Sequence, residues 1–227
     1  QGDADPHRAS DEYADFLIDL GVIFAWYFTF VPVGADATNE LMATAEQREL
    51  MYNQIRKWRF QKGAQKPIFT IDFFNDGEYV GGCVAGGKQY FHISANGDCE
   101  PCVFAHYSNV NIKDEDKHVL DALKSPIFMA YKARQPFSDN MLRACPVMDN
   151  PGAIKKMVQE SGAKSTDLQS PEKIEDLFNK TVEVARKWKE TADRMEKEHG
   201  FIDWRIRSVD IYKDYESKHI KDYEEFE

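Results

Sequence analysis

The sequence predicts an α/β fold built on a βαβ unit, on three observations. Two apolar runs, "VIFAWYFTFVPVG" (22–34) and "PIFTIDFF" (67–74), are rich in β-branched and aromatic residues and read as strands. Between them, Leu50, Met51, Ile55 and Trp58 recur at helical spacing. The first run is apolar on both faces, as in a parallel strand covered by helices. Strand, helix, strand at this spacing is a crossover unit, so the first eighty residues read as α/β.

The remaining elements follow in order. Ser10 is placed to cap a helix whose Tyr13, Phe16, Leu17 and Leu20 share one face, with Gly21 as its stop. Pro32 and Gly34 close the first strand. Thr44 and Gln47 form a capping box for the next helix, and Gly63 reads as the residue just past its end. Asn75 and Asp76 form the turn after the second strand. From Gly81 the character changes: "KQYFHIS", "ANGD" and "CEPCVF" read as a β-hairpin, with Asn96-Gly97 supplying the positive φ angles of the turn. A helical stretch with Val119, Leu120, Leu123, Ile127 and Phe128 is broken at Ser125-Pro126. A further helix starts at Asn150-Pro151. A long helix starts at Ser170-Pro171, runs to His199 over about 45 Å, and is stopped by Gly200. Ile174, Leu177, Thr181, Trp188, Ala192 and Met195 mark its apolar side. The tail from Phe201 mixes aromatic and acidic residues and reads as a solvated face.

Composition bounds the function. The chain has 227 residues, 42% of them apolar, enough for a sizeable core. A net charge of −10 and the lack of any lysine- and arginine-rich block argue against a nucleic-acid partner. The longest apolar stretch, near Val22–Val33, is far short of a membrane span. The polar start, "QGDADPHRAS", is no signal peptide, which points to the cytoplasm. The chain begins at Gln and reaches a helix and a strong strand at once, so it reads as a fragment of a longer protein.

Function turns on the cysteines. Three of the four lie within twenty residues, Cys83, Cys99 and Cys102, and Cys145 follows in "RACPVMDNP". Without a secretory signal, clustered cysteines read as metal ligands or redox groups before disulfides. A hairpin brings its ends together, so Cys83 before the first strand can meet Cys102 at the end of the second. Gly81 and Gly82 let backbone pass close to a bulky group, while Pro101 and Pro146 stiffen the loops that carry sulfur. Cys99 is ambiguous. On a regular strand it faces away from Cys102, yet a bend at Pro101 makes the two a Cys-x-x-Cys knuckle. The spacing by itself also suits a structural Cys₄ zinc site, with His106 able to replace one thiolate. Simple buried thiols are the plainest alternative.

Cys83, Gly97 and Cys102 within "YFHISANGDCEPC" resemble the SPASM/Twitch motif that follows the barrel of many radical S-adenosylmethionine (radical SAM) enzymes. "FTFVPVG", "FHISANGDCEPCVFAHYS", "LKSPIFMAY" and "CPVMDNP" extend the resemblance across most of the chain. It implies the C-terminal portion of a partial (β/α)₆ barrel over residues 1–80. A Twitch-like domain with an auxiliary 4Fe–4S cluster would span 81–150, and a helical extension 151–227. The implied ligands are Cys83, Cys102 and Cys145. The fourth iron is left to Cys99, His106, a water or the substrate. The family's Cys-x-x-x-Cys-x-x-Cys loop, whose cluster cleaves SAM, is absent, so this chain is not expected to cleave SAM by itself. In an intact enzyme the resemblance implies SAM, a second 4Fe–4S cluster, and an electron donor such as flavodoxin or ferredoxin. It also implies a 5′-deoxyadenosyl radical acting on a substrate, for many members a peptide.

Other residues carry two readings each. Pro32 and Gly34 are strand terminators or line the SAM edge of the barrel. Asp72, charged on a buried strand, is paired or lines the working end of the barrel. His92 reads as a hairpin residue rather than a ligand.

Overall fold

The computed structural model describes residues 9–34 and 37–199. Helix α1 (Asp11–Asp19) begins at Ser10, whose side chain accepts the Tyr13 N–H at 3.1 Å. Strand β1 (Phe24–Tyr27), helix α2 (Ala45–Phe60) and strand β2 (Phe69–Asp72) then form the expected crossover. β1 and β2 are parallel, in register Phe24 to Phe69 through Tyr27 to Asp72. The capping box of α2 is complete: Thr44 Oγ1 accepts the Gln47 N–H, and Gln47 Oε1 accepts the Thr44 N–H at 2.8 Å.

Several details of this half differ from the sequence reading. The strands are four residues each, shorter than the apolar runs, and they form a two-stranded sheet; no barrel is closed among the described residues. Among the described residues, only one face of that sheet is covered. α2 packs on the side of Thr70 and Asp72, while Phe24 (47% exposed), Trp26 (56%) and Phe69 (59%) form an open aromatic face. The buried row of α2 is Ala45, Arg48, Tyr52, Ile55 and Trp58, whereas Leu50 is exposed. The helix ends at Phe60, and Gly63 takes its left-handed conformation in the turn beyond. On α1, similarly, Phe16 and Leu20 are exposed and Ala14 is the buried residue.

A short helix α3 (Gly77–Val80) leads into the hairpin of β3 (His92–Ile93) and β4 (Cys99–Glu100). Its turn spans Ser94–Asp98. Gly97 has φ 93°, and a Cβ there would stand 2.7 Å from Asn111 Oδ1, so both conformation and space require glycine. Strand β5 (Tyr107–Ser108) follows. Helices α4 (Val119–Ala122) and α5 (Pro126–Arg134) are separated at Ser125-Pro126, and α6 (Pro151–Ser161) starts at its proline. Strand β6 (Lys164–Ser165) pairs with β5. Helix α7 (Ile174–His199) starts three residues after Pro171 and buries Ile174, Leu177, Thr181, Trp188, Ala192 and Met195, with Ala185 in the same row. The expected stop at Gly200 and the aromatic–acidic tail lie outside the described residues. No described helix is long and apolar enough to cross a membrane.

One buried cation joins these parts. The Arg48 side chain, 2% exposed, donates to Asp149 Oδ1 at 2.6 Å and to Asn75 Oδ1 at 3.0 Å. Its guanidinium lies 3.9 Å from the centre of the Trp188 ring of α7. α2, the turn after β2, the loop before α6 and α7 thus meet at one group. Removing one partner of a buried pair strands the other charge, whereas an exposed pair is worth little. Arg48→Ala is expected to lower the unfolding free energy by about 3–5 kcal/mol, read as a lower urea midpoint. Arg186→Ala, which breaks only exposed pairs on α7, is expected to leave the urea midpoint nearly unchanged.

Candidate functional site: a thiol-lined cavity

Three of the four cysteines line one cavity of about 270 Å³. A single water needs about 10–15 Å³ of such space, so the chamber holds more than one small ion. Cys83, Cys102 and Cys145 reach it from three separate segments, and Tyr90, Tyr131 and Phe104 complete this part of the wall. All four cysteines are free thiols.

Each thiol is held by local structure. The Cys83 loop is tied on two sides: Gln135 Nε2 donates to the Cys83 and Ala85 carbonyls at 3.1 and 2.9 Å, and the Gly86 N–H donates to the Pro101 carbonyl at 2.8 Å. That last bond joins the loop to the residue before Cys102, which closes the hairpin ends together. Cys102 Sγ lies 2.9 Å from the Tyr90 hydroxyl and accepts the Phe104 N–H at 3.5 Å. Cys145 sits in a tight turn. Its N–H donates to Asp149 Oδ2 at 3.0 Å, its carbonyl accepts the Asp149 and Asn150 N–H groups at 3.0 Å, and its Sγ accepts the Met148 N–H at 3.4 Å. Asp149 is also the partner of Arg48, so the buried cation positions Cys145 through one carboxylate.

Burial pushes the Cys83 thiol up to about 12 and raises those of Cys102 and Cys145 as well. The donor set is of the kind that binds zinc or an iron–sulfur cluster, both of which take cysteine as thiolate. The wall suits such a group in one further way: amide N–H groups already point at two of the sulfurs. Among the described residues, no group of three or more His, Cys, Asp or Glu side chains is arranged so that it could hold a metal ion.

The other sequence candidates fall elsewhere. Cys99 is buried in the general core on β4 and does not line the cavity. His106 is also outside it, with Nε2 3.0 Å from the Val103 carbonyl oxygen. His92 pairs with Glu100, Nδ1 to Oε2 at 2.6 Å. A larger cleft of about 730 Å³ adjoins β1, with Trp26, Tyr27, Phe30, Val31, Asp72 and Phe104 among its walls. Pro32 and Gly34 are not part of this lining, although their neighbours Val31 and Val33 are; the Pro32 carbonyl accepts from Lys180 of α7 at 3.3 Å. Trp26 and Phe104 line both cavities, so the cleft and the thiol chamber share an aromatic wall.

Arg48, Asp149, Tyr90 and Tyr131 were not legible as site residues. The one available signal was a cation on the apolar stripe of α2, where Arg48 precedes Tyr52 and Ile55 at helical spacing. No protein-family model matches the chain, and comparisons with curated proteins and with solved structures find no match.

Asp72 is buried, with Oδ2 accepting the Asn75 amide at 2.7 Å, and burial raises its carboxyl to about 6. The folded chain therefore holds this proton more tightly than the unfolded chain, which releases it near 3.8. The stabilisation is full below the unfolded value and is lost as pH rises through about 6. Asp72→Asn, which keeps a neutral acceptor for Asn75, is expected to gain stability relative to wild type as pH rises from about 4 to about 7, followed by thermal denaturation across that range.

Proposed function

We propose that this chain is the C-terminal part of a radical SAM enzyme and that it holds an auxiliary 4Fe–4S cluster through Cys83, Cys102 and Cys145. The observation that carries the proposal is the convergence of these three thiols, from three separated segments, on one buried cavity much larger than a single ion. Cys99 and His106 lie outside that lining, which favours Cys83, Cys102 and Cys145 as the proposed protein ligands. When bound, such a cluster supplies either an electron relay or an open iron that orients a substrate.

The chain's own residues prepare the site. The Phe104 and Met148 N–H groups offset negative charge on sulfur. Tyr90 does the same at Cys102. The adjoining cleft, whose mostly apolar lining includes residues Asp72 and Tyr27, is the proposed substrate side, and it shares an aromatic wall with the thiol chamber. The remaining barrel strands, on this reading, lie against the open face of Phe24, Trp26 and Phe69. They bring the SAM-cleaving loop, SAM itself and the docking site for a flavodoxin- or ferredoxin-like donor. A peptide is the proposed class of substrate.

The test is metal content after anaerobic purification. About four irons and four sulfides per chain, with the broad visible absorption of a cluster, are expected. Each of Cys83→Ala, Cys102→Ala and Cys145→Ala is expected to lose most of that iron, while Cys99→Ala keeps it. A colourless wild-type chain with stoichiometric zinc would overturn the proposal in favour of a structural zinc module.

A further inference from the structure

Tyr131 lies on α5 with its side chain fully buried, and its hydroxyl has no hydrogen-bond partner among the described residues. An orphaned buried hydroxyl destabilises a fold, and most buried polar groups find a partner. This one is also fixed in place. Gly86, at φ 70°, packs so closely on the ring that a Cβ there would stand 2.5 Å from Tyr131 Cδ1. Phe137 meets the other side edge-on, with centroids 5.3 Å apart. A ring held between these residues cannot swing its oxygen to solvent. The residue forms part of the wall of the thiol chamber, beside Cys83, Cys102, Cys145 and Tyr90. Tyr90 already reaches Cys102, so the two phenols differ: one is satisfied within the protein, the other is not.

We propose that the Tyr131 hydroxyl donates a hydrogen bond to the iron–sulfur group bound by Cys83, Cys102 and Cys145, and is a positioning residue that sets its reduction potential. This rests on the auxiliary-cluster reading above. The partner missing from the protein is then supplied by the bound group, a sulfide or thiolate sulfur being the acceptor. A donor at sulfur stabilises the more negative, reduced form and raises the potential.

The experiment compares wild-type chain with Tyr131→Phe, each loaded anaerobically with iron and sulfide and titrated electrochemically, with the metal-free chains melted alongside. Tyr131→Phe removes one oxygen and no packing. Metal-free, the variant is expected to melt at the wild-type temperature or above, because an unpaired hydroxyl has gone. Loaded, it is expected to keep its iron and sulfide but to show a lower midpoint potential. It is also expected to lose an exchangeable proton coupled to the reduced cluster, seen in wild type by electron–nuclear double resonance before and after transfer to deuterated water. An unchanged potential together with an unchanged proton signal overturns the proposal. So does a folded variant that cannot retain the cluster, since that would make the oxygen a ligand rather than a donor. Failure of the cluster reading itself shows differently, as wild type that takes up no iron, and removes this inference with it.

Discussion

The structure depends on placing one cation, Arg48, where water cannot reach it. A guanidinium cannot shed its charge at neutral pH, so burial is tolerable only if partners surround it. Here they come from distant parts of the chain: Asn75 from the turn after β2, Asp149 from the loop before α6, and the Trp188 face of α7. Each partner has a second task. Asn75 donates to Asp72, Asp149 accepts the Cys145 N–H, and Trp188 Nε1 donates to the Leu142 carbonyl at 2.8 Å. The crossover unit, the third cysteine loop and the long helix are therefore fixed relative to one another by a network in which every member is committed twice.

The crossover unit and the helix starts were legible because they rest on local chemistry. Ser10, the Thr44/Gln47 box, Pro126 and Pro151 act within one turn of chain, and the structure uses each as such. The apolar row of α7 was legible for the same reason, since a long helix repeats its message many times. Strand length was not. Apolar character across 22–34 reads as one long covered strand, but pairing ends at Tyr27 and, among the described residues, no second layer covers Phe24 and Trp26. The inward face of α2 was misread because Arg48 counts as polar until its partners, 27 and 101 residues away, are known.

The cysteine site divides along the same line. The hairpin argument brought Cys83 toward Cys102 from sequence alone, and strand alternation gave Cys99 a reason to face away. That Cys145 lines the same chamber, and that Tyr90 and Tyr131 stand beside the thiols, depends on α5 and the loop before α6 packing against the hairpin. No local pattern encodes that. The chamber is apolar in most of its wall and polar at a few points, the composition that makes each polar contact strong and each missing one costly.

Phe104 belongs to two places at once. Its ring stands in the wall between the thiol chamber and the cleft beside β1, and its amide is the one that reaches for Cys102 sulfur. Its ring therefore bounds both spaces, while its amide serves only one of them. A substitution at this one position therefore reshapes the boundary of the cleft and of the thiol chamber together.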